Sequence, residues 1–500
     1  MPRAGPKSDT AVVVELDRPD GVFRPGDTVS GRVTVASPSP TNGSTNNIHI
    51  TIFGRSKVLM VRSRGQSRDY YRGRAVLFEH RFYLDGPPVS RADGTETWQF
   101  STQLPTHTVP VPKSRWSHDT WKKNDKFLDN VNMDVRTHPL PGVFYYRTEF
   151  GGDKSECYVE YVLKASLHTR RVEDDGTDSD TKKKPKKNES GSPKTVVPLA
   201  VRARSTDQPI LYDAHMQDLR EDTRIRTLRL LPTFATETQL GFMHNIRSVL
   251  KPSSVPAYFF DTRISYPATV QLDNPNCFPF RLSVIPKASG SGSSSGSIFD
   301  GGSAASLPDV KLMTFSLSLR VTVLMRARTL LKWDTSTEKH HDFVIVPALP
   351  PHLVGYVIPR EGEPIYDHAN GAAGEQSLDV GRLLDLRVSR THSTWQSATS
   401  NEPTRTDFKA KRPLWASFKS YNIHVWYEWK YKMSIMCVGE RETIEGRQRV
   451  QLIGQSEEQV QNVAVDNQGV RKGWGELMDG VVGLGQALAG IGVLASEAAE

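Results

Sequence analysis

The chain has 500 residues, of which 37% are hydrophobic and 24% are charged, and it carries a formal net charge of +8. This length allows two or three hydrophobic cores, and the polar composition excludes a membrane channel. The positive charge predicts an anionic partner such as phospholipid, phosphorylated protein or nucleic acid, without choosing among them.

The sequence lacks the usual marks of secretion and of metal binding. Its first residues contain no apolar run typical of a signal peptide, and no stretch approaches the roughly 20 apolar residues that span a bilayer. Its three cysteines, Cys157, Cys277 and Cys437, are too widely spaced for a disulfide framework or for zinc-binding pairs. We therefore expect a cytoplasmic protein with free thiols, no metal and no cofactor.

Alternating apolar and polar residues dominate the chain, as in strands that bury one face. Near the start, Pro25-Gly26-Asp27 predicts a turn before an alternating strand over 29–35. The same alternation recurs over 48–52, 159–167, 315–323 and 421–437. In the last run, Tyr421 is expected on the buried face and Asn422 on the opposite one. The pattern predicts an all-β protein built from antiparallel sandwich sheets.

Interruptions of the strand pattern predict how the chain is divided. We expect a disordered N-terminus over 1–9, a sandwich over 10–205, a linker over 206–252, a second sandwich over 253–448 and a C-terminal tail over 449–500. Apolar residues at helical spacing over 234–250 predict a helix in the linker. Mobile loops are expected over 173–194, 288–306 and 367–413, the first two because of their low-complexity composition.

Several stretches resemble the arrestin superfamily, specifically the arrestin-domain proteins of fungi. They are LDRPDGVFRPGDTVSGRV, GTETWQFSTQLP, YVEYVLKASL and SFKSYNIHVWYEWKYKMSIMCVGER, and they follow the family's order. Gly31 falls where that family carries a strand glycine. The resemblance implies the arrestin fold, which is two consecutive immunoglobulin-like antiparallel β-sandwich domains. Here a linker helix and an amphipathic C-terminal tail would accompany them.

The resemblance also implies a function. It predicts a non-catalytic adaptor, peripheral at the plasma membrane or endosomes, that binds cytoplasmic tails of membrane transporters or receptors. Such an adaptor promotes ubiquitin-linked endocytosis or signalling. Two alternatives stay open: a ubiquitin-independent, lipid-associated signalling scaffold, and a retromer-like sorting subunit.

Many adaptors of this family dock on HECT-type ubiquitin ligases through PPxY motifs, whose extended proline segment fits WW domains. This chain has none. The better of the two nearest sequences is Glu363-Pro364-Ile365-Tyr366, so Pro364 and Tyr366 form a degenerate docking candidate. Recruitment of a ligase is therefore expected to be indirect, or absent.

A basic segment provides the candidate anion site. It contains Arg55, Lys57, Arg62, Arg64, Arg68, Arg72 and Arg74. Two acidic residues oppose this positive charge: Asp69 within the segment and Glu79 just beyond it. Guanidinium groups bind phosphate through two parallel hydrogen bonds, so the segment is a hypothetical site for a phosphorylated tail or an anionic phospholipid headgroup. The alternative is a hairpin whose solvent-facing side is simply basic.

Other signals favour weaker hypotheses. The run KKKPKK over 182–187 resembles a nuclear-import signal, but solvated loops often carry such runs. Nucleic-acid binding is not expected, because the basic residues are not interleaved with stacking aromatics. The GxSxG match over 292–296 lies in a Ser/Gly-rich segment, and His340-His341 has no ligand partner at metal-binding spacing. The sequence therefore does not predict an enzyme.

The tail has an apolar face at helical spacing, formed by Trp474, Leu477, Met478, Val481, Leu484, Leu488 and Ile491. Six glycines within it weaken a helix, and no lysine borders the apolar face to meet anionic lipid. We expect this docking face to fold back on the protein or to order on a partner, rather than to insert into a membrane.

Overall fold

The structure is a computed structural model, and it describes residues 11–18, 22–36, 44–84, 86–91, 94–109, 138–171, 193–230, 255–287, 307–327, 335–361, 377–395, 403–408 and 413–460. The predicted linker helix over 234–250 and the amphipathic tail lie outside these residues. So do the expected loop over 288–306 and most of the one over 173–194. No helix in the described part of the chain is long and apolar enough to cross a membrane.

The first half of the chain forms two sheets. Their strands are β1 (Ala11–Leu16), β2 (Val22–Phe23), β3 (Thr28–Ala36), β4 (Ser44–Arg64), β5 (Ser67–Leu84), β6 (Val89–Ser90), β7 (Thr95–Gln103), β8 (Phe144–Phe150), β9 (Asp153–Arg171) and β10 (Lys194–Val201). One sheet has the order β1-β3-β7-β6, and the other has the order β2-β10-β9-β4-β5, with β8 beside β9. Strands β2 and β10 pair in parallel, and the other pairs are antiparallel.

The alternation predicted from the sequence buries one face of each sheet. Val29, Val33 and Val35 of β3 are fully buried, and so are the isoleucines of β4 over 48–52. The turn before β3 is also confirmed: the Asp27 amide donates to the Arg24 carbonyl at 3.0 Å. Because these side chains interleave between the two sheets, the first half is a β-sandwich.

The second half repeats this architecture. Its strands are β11 (Met216–Arg226), β12 (Ala257–Pro267), β13 (Thr269–Gln271), β14 (Arg281–Pro286), β15 (Val310–Ala327), β16 (Thr335–Val346), β17 (Tyr356–Val357), β18 (Leu378–Asp379), β19 (Arg387–Val388), β20 (His392–Trp395), β21 (Thr404–Asp407), β22 (Phe418–Lys419), β23 (Ile423–Cys437) and β24 (Glu440–Ile453). They form the sheets β11-β12-β14-β18, β13-β24-β23-β15-β16 and β19-β20-β21, with β17 beside β15 and β22 beside β23.

Helical structure is sparse in the described residues. It consists of the 3-10 turns Tyr212–His215, Leu228–Leu230 and Pro351–Leu353, the short α1 (Val380–Leu383), and one helical turn over 457–460. The all-β prediction with two sandwiches is therefore confirmed.

Two expectations need correction. Residues 377–395 and 403–408 fall within the expected mobile loop over 367–413, yet they form α1 and strands β18 to β21. These strands have only two to four residues, which is too short for an alternating pattern to be visible. Tyr421 and Asn422 precede β23 rather than belonging to it, and Asn422 is completely buried.

Strands β4 and β5 are long because they serve both halves of the molecule. Along the inward face of β4, Ile48 to Ile52 pack inside the first sandwich. Further along the same face, Ser56 donates a hydrogen bond to the Asn422 side chain in the second half. Gly73 of β5 also faces the second half, because a Cβ atom there would lie 2.6 Å from the Arg326 carbonyl oxygen. The hairpin β4–β5 is thus a structural bridge.

Candidate functional site

The basic segment forms the distal half of the β4–β5 hairpin, and the pleat of the sheet divides its charges between two faces. Lys57 lies opposite Arg74, and Ser63 lies opposite Arg68. Residues directly opposite each other share a face of the sheet. The outward face therefore carries five of the seven predicted residues, namely Arg55, Lys57, Arg68, Arg72 and Arg74. We call this set the basic face.

Part of the basic face is neutralised by β9. Glu160 lies opposite Arg55 and forms ion pairs with it and with Lys57, whose Nζ is 3.1 Å from Glu160 Oε1. Burial, with a smaller contribution from Arg55, lowers the pKa of Lys57 to about 8, while Glu160 opposes the shift. Burial also lowers the pKa of Arg74. This inner group is therefore a compact, partly desolvated cluster.

The outer part of the basic face is open. Arg68 and Arg72 are exposed, and within the described chain neither has an ion-pair partner. Tyr70 lies between them on the same face and is 52% exposed. Two free guanidinium groups flanking an aromatic ring can bind a phosphate or a carboxylate group without first breaking an internal ion pair.

Arg62 and Arg64 lie on the inward face of the hairpin, so they do not belong to the basic face. Arg62 donates to Asp153 Oδ2 at 2.9 Å and to Thr337 Oγ1 at 2.7 Å, so it helps to connect the two halves. Arg64 pairs with Asp69, with its Nε 3.1 Å from Asp69 Oδ2.

The sequence did not reveal the acidic residues that balance this surface. Asp153 and Glu160 lie far from the basic segment in the chain, and only the pairing of β4 with β9 brings them together. The alternation of β9 did indicate a face with acidic residues, because it places Glu156 and Glu160 on one face and the buried Cys157 and Val159 on the other. The alternation could not show which strand is the neighbour.

The two sandwiches meet again around Glu457, in the helical turn that follows β24. Its carboxylate is 2.9 Å from Arg24 Nη1 and 3.2 Å from Arg202 Nη2. Nearby, the Phe144 ring packs edge-on against Trp415 and Phe418, at centroid distances of 5.9 and 5.0 Å. Ion pairs and aromatic contacts therefore join the halves at this second point.

A pocket opens beside these contacts, with an empty volume of about 740 Å³ that includes its mouth. Its walls include Val143, Phe144, Leu414 and Trp415, and are mostly apolar. At one side the Arg390 guanidinium lies 4.6 Å from the Trp415 ring centroid, and burial lowers the Arg390 pKa to about 10 while Asp273 opposes the shift. The pocket can accept an apolar group, but its charges are already paired or balanced.

Residues 12–189 match the family model of the arrestin (or S-antigen) N-terminal domain. This part of the chain is an arrestin-like N-terminal domain. The match covers nearly all of β1 to β9 and includes the whole basic face. No curated protein matches the chain.

The remaining predicted sites of the chain lie outside the described residues. They are the degenerate WW-docking candidate Pro364 and Tyr366, the nuclear-import run over 182–187, and the tail docking face from Trp474 to Ile491.

The arrestin family consists generally of non-catalytic adaptors, and the described side chains offer little for catalysis. Cys157 and Cys437 are buried, and burial raises the pKa of both thiols, which makes them poor nucleophiles. Among the described residues, no group of three His, Cys, Asp or Glu side chains could hold a metal ion. His340 and His341 lie side by side in β16, where their side chains point to opposite faces.

Proposed function

We propose that this arrestin-like protein is a non-catalytic adaptor. It binds acidic or phosphorylated cytoplasmic segments of plasma-membrane transporters or receptors on its basic face and links them to ubiquitin-dependent endocytosis. The observation that carries the proposal is the pair of exposed, unpaired arginines, Arg68 and Arg72, within the region matched to the arrestin N-terminal domain.

The geometry supports an extended ligand rather than a small molecule. The basic face runs along two paired strands, and neighbouring side chains on one face of a strand repeat about every 7 Å. A phosphorylated segment lying along β5 can meet Arg68 and Arg72 in turn, with Tyr70 packing against its stem. The inner cluster around Glu160 continues this direction and adds positive charge from Arg74.

Substitution Arg72→Glu tests the binding site. Fluorescence anisotropy would compare a labelled acidic peptide in its phosphorylated and unphosphorylated forms. We expect Arg72→Glu to weaken binding of the phosphorylated form about tenfold, since a charge-assisted bidentate contact is replaced by repulsion. Arg441→Glu is the matched control, because Arg441 is also exposed but lies in the second sandwich. Equal affinity of wild type and Arg72→Glu would remove the basic face from the proposal.

The cellular role needs a separate experiment. Affinity capture from membrane-intact cells would use the full chain and a chain ending at Val460, which keeps the Glu457 ion pairs. Recovery of integral-membrane transporters with a HECT-type ubiquitin ligase supports the adaptor. Loss of the ligase with residues 461–500 would assign its recruitment to the tail.

Two other results contradict the ubiquitin-linked role. A stable stoichiometric complex without a ligase would indicate a sorting subunit. Recovery of neither transporters nor a ligase would indicate a scaffold of another kind.

A further inference from the structure

The inner part of the basic face gathers three cations around one carboxylate. Arg55 and Lys57 come from β4. Arg74 lies opposite Lys57 on β5, and Glu160 lies opposite Arg55 on β9. Glu160 pairs with both Arg55 and Lys57, and the Lys57 Nζ lies 3.1 Å from Glu160 Oε1. We call these four side chains the inner cluster, and their formal charge is +2.

This excess charge is poorly solvated. The side chains of Arg55, Lys57 and Glu160 are 14%, 23% and 14% exposed. The Tyr158 ring of β9 lies against the Lys57 ammonium group, with 5.2 Å between Nζ and the ring centroid. Like charges that are held close together and away from water destabilise one another. A reaction that removes positive charge from the inner cluster is therefore favoured.

Lys57 is the cation of the inner cluster that can change its charge. A guanidinium group keeps its proton, whereas a lysine amine loses its proton more readily when it is desolvated beside other cations. Burial, and to a smaller extent Arg55, lowers the pKa of Lys57 to about 8. Roughly a quarter of the Lys57 side chains are then neutral at about pH 7.5, against about one in a thousand for an ordinary lysine. A neutral amine is a nucleophile.

We propose that Lys57 is a site of reversible carbamylation by dissolved carbon dioxide. The lone pair of the neutral Nζ attacks the carbon atom of CO2, and an N–C bond forms as the electrons of one C–O π bond move onto oxygen. The nitrogen then releases a proton to solvent, which leaves the carbamate N–H and its carboxylate. The step needs no oxidant, no reductant and no leaving group.

The product balances the charge of the inner cluster. It replaces an ammonium group with a carboxylate, so the formal charge of the cluster falls from +2 to zero. Arg55 precedes Lys57 on the same face of β4, and Arg74 lies across the strand pair, so guanidinium donors flank the new carboxylate on two sides. Glu160 repels it, but Glu160 keeps its own ion pair with Arg55.

The surroundings of Nζ favour a small electrophile. Nζ lies between the Glu160 carboxylate and the Tyr158 ring, and little of the side chain is exposed. Carbon dioxide is triatomic and neutral, so it can reach the amine without displacing these neighbours. A carrier-borne acyl group is larger, and its amide product would remove only one of the two excess charges.

Lys154 provides a contrast on the same face of the sheet. Its side chain is 27% exposed, close to the value for Lys57, and its Nζ lies 2.7 Å from Glu156 Oε2. This pair is already balanced, and a carbamate on Lys154 would set two carboxylates against each other. We therefore expect Lys57, and not Lys154, to carry the modification.

Two measurements on the purified full chain test the proposal. Carbon-13 NMR in a buffer of labelled bicarbonate and CO2 detects the carbamate carbon, and trapping with a trialkyloxonium salt followed by peptide mass spectrometry locates it. We expect labelling of Lys57, no labelling of Lys154, and loss of the carbamate when argon removes the dissolved CO2. Lys57→Arg, which keeps the positive charge, should abolish the Lys57 label.

Two further variants separate the chemistry from a merely structural effect. Arg74→Gln should lower carbamate occupancy about threefold, because it removes a cation that disfavours the ammonium form and attracts the carbamate. Glu160→Gln should raise occupancy by a similar factor, because Glu160 stabilises the ammonium form and repels the carbamate. Damage to the fold would not move the two variants in opposite directions. Thermal melting would verify that each variant is folded.

Three results would overturn the proposal: no label on Lys57, equal labelling of Lys57 and Lys154, or lower occupancy in Glu160→Gln than in wild type. Because the assay contains only protein and dissolved CO2, its outcome is independent of the proposed recognition of protein segments. One consequence does rest on that proposed function. Loss of positive charge from the inner cluster would weaken the binding of acidic segments as dissolved CO2 rises.

Discussion

Lys57 shows how a single residue of the basic face is tuned by its surroundings. Its ammonium group is packed between Arg55 and Glu160, and it lies 5.2 Å from the centroid of the Tyr158 ring. Burial lowers its pKa from 10.5 to about 8, so the folded protein holds this proton less tightly than the unfolded chain does.

This shift predicts how stability depends on pH. Between the folded and unfolded pKa values of Lys57, the unfolded chain binds more protons, so the free energy of unfolding rises with pH in that window. Below about pH 8 Lys57 is charged in the folded protein, so the full cost of burying its ammonium group lowers the free energy of unfolding. Between about pH 8 and pH 9, we expect the free energy of unfolding of wild type to rise by about 1 kcal/mol relative to that of Lys57→Met. Urea denaturation at matched pH values measures this, and a constant difference between the two proteins would refute the assignment.

At the scale of single residues, the sequence identified the basic residues but not their ion-pair partners or the face of the sheet on which each lies. Clustered arginines are visible in one segment, whereas their partners come from β9, and the division between two faces depends on the strand register. Arg62 illustrates the limit. It was expected to be a ligand-binding residue, yet it joins the two sandwiches through Thr337, which is 275 residues away in the chain.

Gly31 shows how one strand element depends on the absence of a side chain. It lies opposite Leu16 in the β1–β3 pair, and a Cβ atom there would be 2.2 Å from the Glu15 carbonyl oxygen. That oxygen belongs to the backbone of β1 and cannot rotate away. The strand glycine of the arrestin resemblance therefore has a physical reason, which is the close approach of the first strand.

Substitution Gly31→Ala should consequently displace β1. We expect a loss of roughly 2 kcal/mol in the free energy of unfolding, with faster hydrogen exchange at the amides of β1, because the added methyl group overpacks a backbone contact. Gly86→Ala is the matched control, since a Cβ atom there meets nothing within 4 Å. Unchanged stability in Gly31→Ala, or an equal loss in Gly86→Ala, would contradict this account.

Long elements were predictable and short ones were not. The alternating runs that became β3, β4, β9, β15 and β23 each span enough residues for the period of two to stand out. Strands β18 to β21 are too short for this, and neighbouring contacts hold them in place. One example is the Ser393 hydroxyl, which donates to the Ile345 carbonyl of β16 at 3.0 Å.

At the scale of the whole molecule, the sequence did not predict how the two sandwiches pack against each other. The contacts between them are single residues scattered along the chain, such as Ser56 with Asn422 and Arg202 with Glu457. None of them has a periodic signature. Its alternation with Tyr421 predicts an outward face for Asn422, whereas Asn422 is buried because the β4–β5 hairpin of the first half packs against it.

Glu457 is the point where this relation can be tested. Its carboxylate pairs with Arg24 and Arg202 of the first sandwich, while the backbone around it continues from the last strand of the second. Burial lowers the pKa of Arg202, and Glu457 is the main group that opposes this shift. Neutralising Glu457 would therefore leave a partly buried guanidinium group without its compensating charge.

We expect Glu457→Gln to lower the free energy of unfolding by about 2 kcal/mol, less than for a fully buried pair, because Arg24 is partly exposed. Hydrogen exchange should increase at amides on both sides of the contact, at the end of β10 and in the turn over 457–460. Glu458→Gln is the matched control, because Glu458 is exposed and only its backbone amide is bonded, to the Asp207 carbonyl in the segment after β10. Equal stability of Glu457→Gln and wild type would mean that the other contacts between the sandwiches, rather than this ion-pair cluster, hold them together.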